Sequence, residues 1–166
     1  SCMVPKDRTG HSCVMHLIPA SVYSGELLEG EVFVTGEGEG CAGLLLPPAC
    51  NTLLQDLKNR YHMIIPDSRD ELSVLIHEII IDVMEIADNI DISWSDDSVR
   101  IRIEGFDLIN GCRLMSKESP ACCTMSPCVT CSLLASCITE GLDIPVRIDR
   151  CVPLKHKDTV EAVYTL

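Results

Sequence analysis

The sequence predicts an α+β fold, an antiparallel sheet with helices packed on one face. Three observations carry that expectation. An amphipathic helix over 67–90 leads into an alternating hairpin over 91–106. A second apolar helix, 127–140, leads into two further alternating stretches, 145–152 and 159–166, so the C-terminal order is α-β-β-α-β-β. The chain has 166 residues, 46% of them hydrophobic but only 4% aromatic, which suits one domain with an aliphatic core.

Residues 1–30 are broken by Pro5, Gly10, Pro19, Gly25 and Gly30 and read as an irregular N-terminal arm, with 31–166 as the single domain. The β-branched and aromatic run "EVFVT" (31–35) reads as a strand. It is followed by "GEGEG" and the apolar "CAGLLL", a hairpin or a strand entering a loop. Pro47 and Pro48 stop that element and can open a helix.

Over 51–65, Leu53, Leu54, Leu57 and Tyr61 fall at helical spacing, with Asn51 or Thr52 as cap and Pro66 as stop. The 67–90 helix starts at Asp67 or Ser68, with Asp70 and Glu71 in the first turn where the dipole favours anions. Its stripe is Leu72, Leu75, Ile76, Ile79, Ile80, Val83, Met84 and Ala87. Val74 and Ile81 lie one heptad apart off that stripe, which suggests another layer or a homodimer partner.

"DISW" and "VRIRIEGF" form a hairpin about the acidic turn "SDDS". Val99, Ile101 and Ile103 face the core, and Arg100, Arg102 and Glu104 face water. Pro120 and Pro127 make 116–127 a loop, Ser126 caps the next helix, and Gly141 ends it. "PVRIDRCV" and "TVEAVYTL" alternate as strands.

A formal charge of −12 excludes phosphate backbones and anionic membrane surfaces as partners and favours cationic or neutral ones. No apolar run approaches the ~20 residues of a bilayer helix, and no N-terminal signal pattern is seen. The chain begins at Ser1 rather than Met, which leaves room for an upstream segment. Eleven cysteines, an odd number, several within apolar regular stretches, point to reduced thiols in a cytoplasm rather than to a secreted disulfide scaffold.

The densest motif is "CCTMSPCVTCSLLASC", residues 122–137. Cys128 and Cys131 form C-x-x-C at a helix start, where the N-terminus favours thiolate. Such thiolates bind zinc or iron–sulfur centres and also form reversible disulfides. Cys122 and Cys123 arrive from the preceding loop. Cys112 and Cys151, read as lying on neighbouring strands, could complete a set of four, whereas Cys137 faces elsewhere. The competing reading is packing, since cysteine is often buried as a small apolar residue and Leu133, Leu134, Ala135 and Ile138 are its neighbours.

Gly38, Gly40 and Gly43 satisfy G-x-G-x-x-G, but Glu37 and Glu39 would repel a pyrophosphate and Pro47 and Pro48 interrupt the helix it needs, so an acidic turn is expected. Cys2, His11, Cys13 and His16 are zinc-type ligands at short spacing, or a solvated arm. His62, His77 and His156 read as surface histidines. Glu78 and Asp82 read as a solvated face, not an acid–base pair. No G-x-S-x-G elbow is present.

The segments "SVRIRIEGF", "CVTCSLLASCITEG", "PVRIDRC" and "EAVYTL" together resemble the V4R domain, a small-molecule-binding module related to TRAPP-complex subunits, over about 70 residues. That resemblance implies a zinc site beside a hydrophobic pocket, with Cys128 or Cys123 and Cys151 as two ligands. The chain departs from the family pattern at Ile148, where an acidic residue is expected, and at Ala162, where a later cysteine is expected.

The expected function is a non-catalytic cytoplasmic module binding a small apolar ligand or a metal. Its metal ligands are drawn from Cys122, Cys123, Cys128, Cys131 and Cys151, and it dimerises through the 67–90 helix. A thiol enzyme or redox protein using Cys128 or Cys131 is the alternative, and a structural oligomerisation domain the third reading.

Overall fold

The computed structural model describes residues 1–19, 33–34, 43–155 and 158–166. Their strands are β1 (Cys2–Val4), β2 (Met15–Pro19), β3 (Phe33–Val34), β4 (Gly43–Leu46), β5 (Asn89–Trp94), β6 (Ser98–Glu104), β7 (Val146–Pro153) and β8 (Val160–Thr165). The helices are α1 (Asn51–Arg60), α2 (Arg69–His77), α3 (Ile109–Glu118), α4 (Cys122–Met125) and α5 (Val129–Leu142). All eight strands join one antiparallel sheet in the order β3-β4-β2-β1-β7-β8-β6-β5. The expected α+β fold is found, and its C-terminal order is that of α2, β5, β6, α5, β7 and β8. The "GEGEG" turn, Cys41, His156 and most of the 31–35 stretch lie outside the described residues.

Alternation builds one inward face. Val99, Ile101 and Ile103 of β6 join Val160, Ala162 and Tyr164 of β8, and Val146, Ile148 and Cys151 of β7. Against them pack Leu54 and Leu57 of α1, Ile76 of α2 and the apolar side of α5. α5 is the central helix, with ten of its fourteen residues buried. Two of its buried hydroxyls find partners at Cys50: the Cys50 amide donates to Ser132 Oγ and its thiol to Ser136 Oγ, each at 3.4 Å. Gly141 lets α5 approach the start of α2, because a Cβ there would stand 2.4 Å from the Pro66 carbonyl oxygen.

Four expectations are corrected. Residues 1–19 are not an irregular arm: β1 pairs with both β2 and β7 inside the sheet. Its apolar runs are only three to five residues long and are separated by a charged turn, too short for a period to show. Second, the 67–90 helix ends early. Ser68, one of the two expected caps, accepts from the Glu71 amide and donates its hydroxyl to Glu71 Oε2. After His77 the winding loosens into a π-helical segment, Glu78–Val83, with Met84 N–H bonded to Ile79 O. Glu85 then takes φ 49°, and β5 opens at Asn89. Third, the 116–127 loop contains the end of α3 and all of α4. Fourth, Cys122–Leu142 does have the length and apolarity of a membrane span, although 61% of its apolar window is buried inside this fold.

Cys2, Val4, Met15, Leu17 and Leu45 form a second small cluster. Met3 belongs to the main core, so its neighbours Cys2 and Val4 point to the opposite face of the sheet.

Candidate functional site

Strict alternation along β7 would put Cys151 on the same side as Arg147 and Asp149, facing water. The pairing with β8 slips instead: Ile148 faces Tyr164, and Arg150 faces Val163. Asp149 is the extra residue of this bulge. Arg147 Nε donates to its Oδ1 at 2.6 Å, and Thr165 Oγ1 donates to its Oδ2. The bulge changes the phase of the strand, so Cys151 turns inward beside Val146 and Ile148.

There Cys151 meets the first turn of α5. Its sulfur lies 2.9 Å from that of Cys131, and both residues are buried. Cys131 also hydrogen-bonds the sulfur of Cys128, the exposed N-cap residue of α5. Cys123, from α4, hydrogen-bonds Cys151. Four thiols from α4, the start of α5 and β7 thus form one run, Cys128–Cys131–Cys151–Cys123. Tyr164, fully buried on β8, donates its hydroxyl to the Cys131 carbonyl at 3.2 Å and ties this turn of α5 to the sheet.

The electrostatics are uneven. The Cys131 thiol donates toward Cys128, and the amides of Thr130 and Cys131 act on the same sulfur without closing a cap hydrogen bond of normal geometry. Together they lower Cys128 to about 6. Cys131 is pushed well up, first by its bonds to Cys128 and Cys151, then by burial. Burial is the main cause that raises Cys123 to about 11 and Cys112 to about 12. At neutral pH the cluster holds a thiolate at Cys128, with Cys131 and Cys123 protonated.

Of the five predicted ligands, four are brought together. Cys122 reaches the set through its neighbour Cys123. Cys112 was the residue undervalued. It lies on α3, not on a strand, and feels the charges of Cys128, Cys151 and Cys123. The signal was Ile109 and Cys112 at i, i+3. Cys137 packs in the core, 1% exposed, as expected.

The N-terminal quartet is divided: Cys2 faces the second cluster, whereas His16, paired with Met3 in the register, faces the helices. Among the described residues, no three His, Cys, Asp or Glu side chains stand in an arrangement that holds a metal ion as they are now placed. A tetrahedral zinc with Zn–S near 2.3 Å spaces its sulfurs by roughly 3.8 Å. Cys131 and Cys151 are closer than that, at 2.9 Å, drawn together by their hydrogen bond.

Two surface clefts lie elsewhere. One, of about 280 Å³, is lined by Lys6, Asp7, Lys58 and Glu140. The other, of about 500 Å³, is lined by Val74, His77, Ile90 and Ile92. No family model, curated protein or solved structure matches the chain.

Proposed function

We propose that the chain is a non-catalytic metal-binding module whose ligands are the thiolates of Cys123, Cys128, Cys131 and Cys151, holding zinc or an iron–sulfur centre. The observation that supports this is the continuous run of four sulfurs from three elements, including one that a bulge turns inward. Packing alone does not need a bulge that trades an outward cysteine for an inward one. Binding would exchange the S–H···S bonds for metal–sulfur bonds, with the sulfurs spreading from 2.9 Å. Protons leave Cys131 and Cys123 as this happens, so affinity rises with pH. In the V4R resemblance Cys128 or Cys123 and Cys151 would be two ligands, and with Ile148 and Ala162 in place of the family's other two residues the family's own zinc site would be altered or lost here. Reduced thiols in this number suit a cytoplasm.

Zinc titration of the reduced full chain, followed by desalting and metal analysis, tests this. About one equivalent stays bound, Cys128→Ser and Cys151→Ser lose it, and Cys137→Ser keeps it. Retention below roughly a tenth of an equivalent of zinc, with no iron in anaerobically purified protein, overturns it.

A homodimer through α2 completes this reading. Val74 is 59% exposed there, beside the 500 Å³ cleft. Val74→Asp should leave a folded monomer in sedimentation; an unchanged profile counts against the dimer.

A further inference from the structure

We propose that the same sulfurs also perform thiol–disulfide exchange, with attack at Cys128 and the oxidised state resting as a Cys131–Cys151 disulfide. This goes beyond metal binding and does not require it. The geometry points to it because the three thiols have graded access. Cys128 is exposed at the N-cap of α5, where a small disulfide can reach it. Cys131 is 2% exposed and lies between two partners, hydrogen-bonded to Cys128 on one side and 2.9 Å from Cys151 on the other. A disulfide has S–S near 2.05 Å, so the inner pair must close by only about 0.9 Å.

The chemistry balances with a low-molecular-weight disulfide, RSSR, as oxidant. The Cys128 thiolate attacks one sulfur, forms Cys128–S–S–R and expels RS⁻. Cys131 gives up its proton and attacks the Cys128 sulfur. That breaks the mixed disulfide, forms Cys128–Cys131 and releases the second RS⁻. Cys151 then gives up its proton and attacks the Cys131 sulfur, forming Cys131–Cys151 and returning Cys128 as thiolate. The sum is RSSR plus two buried thiols giving two RSH and one disulfide. Where a metal is held by these residues, the oxidised chain lacks two of its ligands; that consequence alone rests on the metal reading.

The test uses the reduced full chain with chelator present, oxidised glutathione as the disulfide, alkylation to stop the reaction, and peptide mapping. The expected result is loss of two thiols per chain, a Cys131–Cys151 linked peptide and no glutathione retained. Cys128→Ala slows the reaction by at least about tenfold. Cys151→Ala stops it at Cys128–Cys131, and Cys137→Ala, in the core away from the site, leaves rate and product unchanged. Circular dichroism confirms that each variant is folded. Glutathione held on Cys128 with no internal disulfide, an unslowed Cys128→Ala, or a linkage to Cys112 or Cys122 instead would each overturn the proposal. Because chelator removes any metal, failure of zinc binding leaves this outcome untouched.

Discussion

Cys128 and Cys131 lie one helical turn apart yet hold their protons very differently. The outer sulfur receives a hydrogen bond and the inner one gives it, so the pair ionises first at Cys128, near pH 6. Alkylation of Cys128 should therefore be half-maximal near that pH, and Cys131→Ala should move it up toward 9 by removing the largest cause. Mass spectrometry across a pH series reads this; a profile that Cys131→Ala leaves in place contradicts it.

His16 makes a second residue-scale prediction. It is 5% exposed with Nε2 unbonded, and burial lowers its imidazole from 6.5 to about 4. The unfolded chain takes up a proton near pH 6.5, but the folded chain does not until about pH 4. Stability is whole above 6.5 and is lost as pH falls toward 4, by something on the order of 3 kcal/mol. Urea midpoints near pH 7 and pH 4.5 should diverge less in His16→Leu than in the parent; equal divergence contradicts the assignment. At this scale the C-x-x-C at a helix start was legible in the sequence. The fate of Cys151 was not, because plain alternation puts it among Arg147 and Asp149.

The elements carry what single residues cannot. β7 is a strand whose bulge sets the site, and deleting Asp149 would remove the extra residue, restore plain alternation and leave Cys151 inward opposite Ala162. A maleimide should then label Cys151 only on unfolding, in the deletion variant as in the parent. Labelling of Cys151 in a folded deletion variant argues against Asp149 as the extra residue that sets its phase. The hairpin β5–β6 was legible because one face is buried and the other wet, which writes the period into the residues. α2 was overread for the opposite reason. Ile79, Ile80, Ile81, Val83 and Met84 are apolar on enough sides to extend a helical stripe, and nothing in them marks the change to a π-helical winding. α3 was missed because its first turn carries few apolar residues and Gly111 lies inside it.

On the scale of the whole molecule, one sheet face with its helices forms the main core, and the sulfurs lie where α4, α5 and β7 meet it. The layer type followed from the order of C-terminal elements. The place of the N-terminal strands did not, because β1 and β2 are fixed by long-range pairing, with β1 joined to β7 at Cys2↔Arg147. That pairing holds the N-terminal strands against the strand that bears Cys151. An acidic chain, with 25 carboxylates against 13 cations, supplies a field that draws cations toward it. The central claim is that Cys123, Cys128, Cys131 and Cys151 act as one site. X-ray absorption of the zinc-loaded full chain measures it most directly. The account predicts four sulfur neighbours near 2.3 Å; a shell dominated by nitrogen or oxygen, or one with two sulfurs or fewer, would contradict it.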